Sequence, residues 1–443
     1  MKFIKALYIH ERFFTAIAII ASLFLLSFWI PILYVISWVL FLITWTLFLV
    51  DILILFRFKT GLNARRLLTE KFSNSDINPV PIILQNKYPF AIDAKIIDEL
   101  PVQFQKRNFE YKISIKYNED HNFEYNLKPV ERGEYHFGKL NIFVSSPLKM
   151  ISKRYQFNDE AMVAVYPSYI QMKKYEFLAM SNRLTEFGMK KIRRLGHTLE
   201  FEQIKEYVSG DDVRTINWKA TAKRGDLMVN QYQDEKSQPI YSIIDTGRMM
   251  KMPFEELKLL DYAINSTLAF SNIALRKNDK SGLLTFSKKV ETIIQASNKK
   301  THLNVINEAL YNIDTQFTDS DFGLLYAVIK RKITHRSLLI LYTNFEHMSA
   351  MKRQLPFLKA IAKQHLLVVV FFENTELDDL ITTNAEDLQD VYHKTIAEKF
   401  VYEKRLIAKE LQSKGVHAIL TKPKNLTVNV INKYLEFKAK GLI

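Results

Sequence analysis

Two stretches of this sequence gather side chains able to do chemistry. The first runs from about residue 190 to residue 233. It contains the basic run 190–194, His197, Glu200, Glu206, Tyr207, the triplet Gly210-Asp211-Asp212, then Arg214, Asn217 and Trp218. Paired carboxylates near a histidine can serve as general acid and base. No nucleophile, phosphate-binding loop or complete ligand set accompanies them, so no reaction class follows. The same residues also read as architecture. Gly-Asp-Asp is turn chemistry, and Arg214 is near enough in sequence to pair with either carboxylate. Trp218 is the only tryptophan beyond residue 45, a large apolar body with one N–H to satisfy. A polar network locking one domain onto the next is the preferred reading, and a ligand or acid–base site is the alternative. The second stretch is defined by position. Asp245 ends the apolar run 240–244, and Thr343-Asn344 follow the run 337–342. Ligands of open parallel sheets sit outside the carboxyl ends of strands, so a site in this half of the chain is expected there.

Composition narrows the classes. With 443 residues the chain has room for a membrane anchor and two soluble domains. It has no cysteine, which excludes disulfides, thiol nucleophiles, thiolate zinc sites and iron–sulfur clusters. Its 12 glycines argue against glycine-rich phosphate loops. The 62 basic and 47 acidic side chains give a net charge of +15. That points to an acidic partner, anionic lipid or nucleic acid, or simply to a lysine-rich solvated surface.

Hydrophobic patterning supplies the elements that position these residues. Residues 13–30 and 32–50 are two uncharged runs separated by Pro31, each about 27–29 Å long as helix. They predict a transmembrane helical hairpin within 13–56, preceded by a short cytoplasmic segment, 1–12. Lys2, Lys5 and Arg12 precede the first run, Arg57, Lys59, Arg65, Arg66 and Lys71 follow the second, and the turn between has no basic residue. Both ends are therefore expected on the cytoplasmic side. Asp51 falls where its carboxylate is expected to reach headgroup water. Trp38 and Trp45, seven residues apart, are expected to pack on the partner helix or on lipid.

From 71 to 167 the period changes to two. Tyr111, Ile113, Ile115 and Tyr117 alternate with polar residues, as do Phe123, Tyr125 and Leu127, with a polar turn between. This predicts a hairpin, further strands at 80–85, 91–98, 140–144 and 161–165, and a turn bracketed by Gly133 and Gly138. The expected domain is a small all-β sandwich of immunoglobulin-like type, acting as spacer or docking module. Residues 168–236 form the linking segment. Residues 237–443 alternate buried strands (240–244, 282–286, 337–342, 366–372, 416–420) with helices, and 290–294 is read as the hairpin partner of 282–286. That pattern predicts an α/β domain built on a doubly wound, mainly parallel sheet.

The run Glu200-Phe201, Lys205-Glu-Tyr207, Gly210-Asp-Asp-Val-Arg214 and Ile216-Asn-Trp-Lys-Ala-Thr-Ala222 resembles the signature of the bacterial family called domain of unknown function 58. The following segment is similar to the von Willebrand factor type A fold found in that family. The resemblance extends upstream through Asp76-Ile-Asn-Pro-Val80, Asp98-Glu-Leu-Pro101, Arg132-Gly-Glu-Tyr135 and Val165-Tyr-Pro-Ser168, and so covers nearly the whole chain. It implies a protein of the bacterial inner membrane, its soluble domains cytoplasmic, working with a MoxR-type AAA+ ATPase in assembly or chaperone-like roles. Type A domains often hold a divalent cation with Asp-x-Ser-x-Ser, a Thr and a later Asp. Here the first motif reads Asp245-Thr-Gly247-Arg248-Met249, the Thr position is assigned to Thr301, and the later Asp is replaced by Asn344. Gly247 and Met249 offer no side-chain oxygen, and Arg248 adds positive charge. The site reads as degenerate, with no metal and no cofactor expected. Asp245 is expected instead to pair with an arginine or to cap backbone N–H groups.

The leading expectation is thus a membrane-anchored, non-enzymatic interaction protein whose partners are the bilayer and the ATPase. An enzyme using the carboxylates around Asp211 is the first alternative. A basic surface that binds anionic lipid or nucleic acid is the second, with nucleic acid not the expected partner.

Overall fold

The computed structural model describes the chain except for residues 1, 107–108, 158–159, 181–199, 210, 234–236, 256 and 383–386. His197, Gly210 and the basic run 190–194 lie outside the described residues. The chain divides into two compact units, Met1–Tyr166 and Pro167–Ile443. It mixes helices with several β-sheets.

After a short helix, Lys2–Ala6, and a strand, Leu7–Ile9, the first unit has two longer helices, Glu11–Leu26 and Ile32–Phe56. Ile32–Phe56 is the described helix long and apolar enough to cross a bilayer, about 37 Å at 1.5 Å per residue. The two helices touch through aromatic side chains. Phe24 meets Trp38 edge-on with ring centres 5.7 Å apart, and Phe13 lies 4.6 Å from Phe48 and 6.3 Å from Trp45.

Asp51 does not reach headgroup water. It is fully buried. One carboxylate oxygen accepts the backbone N–H groups of Met150 and Ile151, each at 3.0 Å, and the other accepts the Ser146 hydroxyl. One turn later the Leu55 carbonyl accepts from the Tyr88 hydroxyl at 3.1 Å and from the Lys153 ammonium at 3.2 Å. Lys153 also donates to the Phe58 carbonyl at 2.6 Å. A cation on the last carbonyls of a helix satisfies their orphan acceptors and suits the helix dipole. Burial pulls the Lys153 pKa down to about 8. Gly61 makes the turn possible, because a Cβ there would stand 2.3 Å from the Tyr88 ring. The segment before helix Glu11–Leu26 is no separate tail either: Leu7–Ile9 is a strand paired with Ile151–Lys153.

The β-part of this unit comprises one five-stranded and two three-stranded sheets sharing a single core. Strand Asn78–Asn86 buries Val80, Ile82 and Leu84, and strand Ile92–Asp98 buries Ile92, Ala94 and Ile96, the period-two signature of one inward face. The hairpin expected at 111–127 does not form. Tyr111–Ile115 pairs with Ile92–Asp98, while Asp120–Leu127 pairs with Asn78–Asn86 in another sheet. The polar turn carries Asn118 at φ 52° and passes the chain from one sheet to the other. Alternation identifies a strand's inward face but not its neighbour. Gly133 and Gly138 bracket a strand, Gly133–Phe137, rather than a turn.

In the second unit the six-stranded sheet runs in the order Val290–Ser297, Lys280–Phe286, Pro239–Asp245, Leu338–Tyr342, Leu366–Phe372, His417–Thr421. All neighbours are parallel except the edge strand Val290–Ser297, the hairpin partner of Lys280–Phe286. Both faces are covered. Ile240 and Ile244 point into one core with helices Leu259–Arg276 and Leu426–Ala439, while Tyr241 and Ile243 point into another with Phe322–Lys332, Met348–Gln364 and Leu388–Ser413. Two covered faces explain why these strands read as continuous apolar runs. Helix Tyr169–Met180 also packs on Leu259–Arg276: Asn265 accepts the Ser168 N–H at 2.9 Å, and Asn272 donates to Glu176 at 2.7 Å.

Replacing Asp51 by Ala would strip three buried donors of their acceptor. Asp51→Ala is expected to destabilise the first unit by roughly 2–5 kcal/mol, seen as a lower melting temperature of the full chain in detergent. Unchanged melting would mean that Asp51 does not hold the helix to the 146–151 loop.

Candidate functional site

The linking motif folds into a small module. Strand Glu200–Glu206 pairs antiparallel with Met228–Gln233, Glu206 facing Met228. Between them lie a short 3-10 turn, Val213–Thr215, and helix Trp218–Arg224. Each polar residue has a local task. Asp211 accepts the Val208 N–H and the Lys205 ammonium, both at 3.0 Å. The Val208 bond first, and then Lys205, hold its carboxyl below the usual range. Asp212 caps the 3-10 turn by accepting the Arg214 N–H at 3.0 Å. Asn217 caps the helix through the Ala220 N–H at 3.0 Å and donates to Asn230 at 2.8 Å. The Tyr207 N–H bonds the Leu227 carbonyl at 2.8 Å. Glu206 is exposed and stands 3.9 Å from the exposed Arg224. Glu200 lies on the first strand, at its start.

Two expectations for this motif are corrected. The Arg214 guanidinium forms no ion pair with Asp211 or Asp212; Asp211 takes Lys205, from the strand Glu200–Glu206, instead. Trp218 is not a buried anchor. It is 69% exposed, at the first turn of its helix, while Met228 and Val229 fill the module's interior.

The second site lies at the carboxyl end of the central strand. Asp245 is buried and accepts three hydrogen bonds: the Gly247 N–H at 2.8 Å, the Thr343 hydroxyl at 2.7 Å, and the Ser320 hydroxyl. No cation is among these partners, and burial pushes its carboxyl pKa up. Gly247 has a positive reason to be glycine. A Cβ at this position would stand 2.1 Å from the Ser320 oxygen. Loss of the motif serine thus makes room for a serine from another loop. That loop is tied down by the Arg248 N–H on the Thr318 carbonyl at 3.0 Å and the Gln316 N–H on the Thr246 carbonyl at 2.7 Å.

Thr301 does not take part. It is exposed, next to the start of helix His302–Tyr311, and Ser320 and Thr343 fill the role assigned to it. Spacing could not identify Ser320, because loop closure chooses it. Arg248 turns outward to the exposed Asp319 at 2.8 Å, and Met249 is half-buried. Asp245 caps a backbone N–H as expected but pairs with no arginine. Asn344 is buried, and its side-chain oxygen accepts the Lys404 ammonium at 2.7 Å.

This donor set does not fit a divalent cation. It offers one carboxylate and two hydroxyls already bonded to it, while the neutral Asn344 oxygen holds an ammonium. Hard cations take six or more oxygens, usually with more than one negative charge. Mg²⁺ or Mn²⁺ is therefore expected to leave the melting temperature of the full chain unchanged. An ion at 100 times its Kd would add about 2.7 kcal/mol. A saturable rise abolished by Asp245→Ala would show that the hydroxyls turn to a metal.

Residues 203–392 match the family model described as protein of unknown function DUF58. A Bacillus subtilis (strain 168) protein described as uncharacterized protein YeaD is 23% identical over 245 residues, 54% of this chain and 58% of that protein. The chain thus spans little more than half the length of this curated relative. Among solved structures, the conserved hypothetical protein BatB from Bacteroides thetaiotaomicron is similar over 46% of this chain and 100% of its own, at 13% identity and a TM-score of 0.31. The CARDB domain of the PF1109 protein from Pyrococcus furiosus covers 24% of this chain and 91% of its own, at 12% identity and a TM-score of 0.17. Scores this low assign no fold. The family match and the Bacillus relative together support the DUF58 resemblance carried by the motif around Gly210-Asp211-Asp212.

Proposed function

We propose that this chain is a membrane-anchored, non-enzymatic interaction or assembly protein that works with a MoxR-type AAA+ ATPase. In this reading both N-terminal helices form a transmembrane hairpin in the bacterial inner membrane. The β-domain and a von Willebrand factor A-like domain then face the cytoplasm. The observation that carries the interaction reading is Trp218. An indole 69% exposed, on a module whose polar groups are bonded to one another, is a surface in need of a partner. Val208 at 62% and Val213 at 64% exposure stand on the same module and extend its apolar surface. An acid–base enzyme is disfavoured, since Asp211 and Asp212 are engaged as turn and cap residues.

Trp218→Ala is expected to leave the melting temperature of the full chain nearly unchanged, within about 0.5 kcal/mol as for an exposed site. It should weaken capture of the co-expressed ATPase by about 2 kcal/mol or more, roughly thirtyfold. Arg214→Ala, equally exposed, should weaken capture in the same direction without loss of fold. Capture untouched by both changes would remove the motif from the interface, and failure of the wild-type chain to retain the ATPase would remove the partner.

Topology has its own test. Protease added to intact spheroplasts should spare both units, because the basic residues flanking the apolar segment lie at its two ends. Cleavage of either unit from outside would place it across the membrane.

A further inference from the structure

A cavity lies in the Pro167–Ile443 unit, and the interaction reading does not use it. It has a volume of about 430 Å³, within the range of small-molecule sites. Its floor is the carboxyl ends of the strands Leu338–Tyr342, Leu366–Phe372 and His417–Thr421, where parallel sheets of this kind bind ligands. Phe254, Phe372, Leu377 and Phe400 give it an apolar wall. Lys404, on the long helix Leu388–Ser413, enters from the side.

The charges lining the cavity are not equivalent. Arg405, Lys422, Glu346 and the His347 ring belong to exposed residues of its rim. Glu373 is half-buried at the end of its strand. Lys404 is the cation set among the apolar residues, and burial draws its pKa down to about 8, with Glu346 acting against that only through space. Among the described residues its hydrogen bond goes to the neutral Asn344 oxygen at 2.7 Å, and no carboxylate lies within ion-pair distance. An ammonium has three N–H groups, so two remain for a further acceptor. A desolvated cation without a bonded counter-ion is costly, and an anionic ligand removes that cost.

We infer that this cavity binds a small amphipathic carboxylate, its acid group on Lys404 and Asn344 and its apolar body against Phe254, Phe372 and Phe400. The neighbouring Asp245 cluster takes no part, since the Ser320 and Thr343 hydroxyls and the Gly247 N–H all donate to the Asp245 carboxylate.

The test uses full-length protein in lipid nanodiscs with phenylbutyrate as probe and phenylbutylamine as its cationic counterpart. Empty nanodiscs correct for partition into lipid. Ligand-observed NMR titration should show saturable binding of the carboxylate with a Kd of about 1 mM or tighter. The amine should bind at least about tenfold more weakly, a difference of about 1.4 kcal/mol. Lys404→Met should weaken the carboxylate by about tenfold or more, and Leu377→Trp, which fills the cavity from a half-buried position, should abolish binding. Should Lys404→Met melt early, Lys404→Gln replaces it. Equal binding of amine and carboxylate would hand the site to Glu373 and Glu346 and overturn the inference. So would a Kd unchanged by either Lys404 variant, or no saturable binding by the wild type.

Discussion

A carboxylate taken out of water must find donors, and four buried aspartates show how much of this fold depends on that requirement. Asp51 draws its donors from residues 146–151, up to 100 positions away. Asp98 accepts from Arg66 and from the Tyr125 hydroxyl at 2.5 Å, which joins strands of two sheets. Asp245 gathers Gly247, Ser320 and Thr343. Asp279, at the start of a central strand, accepts from Tyr434 and Lys438 of the last helix. Each would cost several kcal/mol if left unsatisfied. Each therefore specifies a contact between distant segments that apolar packing alone would leave loose.

The same requirement separates the two candidate sites. Around Asp245 the Gly247 N–H and the Ser320 and Thr343 hydroxyls all donate to the carboxylate, so the cluster is a lock between the central strand, the 316–321 loop and Thr343 rather than an open site. Next to it, Lys404 is bonded, among the described residues, only to a neutral amide, and it lines a cavity. In the linking module Asp211, Asp212 and Asn217 are engaged in local hydrogen bonds, while Trp218, Val208 and Val213 are exposed. Chemistry-bearing side chains thus serve as scaffold there, and the indole is what the module presents.

Helix Ile32–Phe56 shows how a membrane-length segment can end inside the core of a β-domain. Leu55 is fully buried with Leu62, Tyr88 and Ile151 in the core of the β-part. The ends of the helix are thus held differently: its first turn begins at Pro31 with no side-chain cap, and its last turn is held by Lys153 and Tyr88.

Sequence alone determined what periodicity and residue type report. Apolar length located the long N-terminal helix, alternation marked the inward faces of the β-strands, and continuous apolar runs separated by helices implied a parallel sheet covered on both sides. Turn chemistry at Asp211 and Asp212 was also legible, because each carboxylate accepts a backbone N–H within three residues of it, whereas the cap at Asn217 was not read. Partners chosen by chain closure were not. The neighbour of Tyr111–Ile115, the burial of Asp51 and the arrival of Ser320 at Asp245 in place of Thr301 each depend on segments tens of residues away, which side-chain pattern cannot rank. Gly247 is the clearest case: in sequence it is a missing ligand, and in the fold it is the space that Ser320 occupies, a meaning that exists only once the two loops meet.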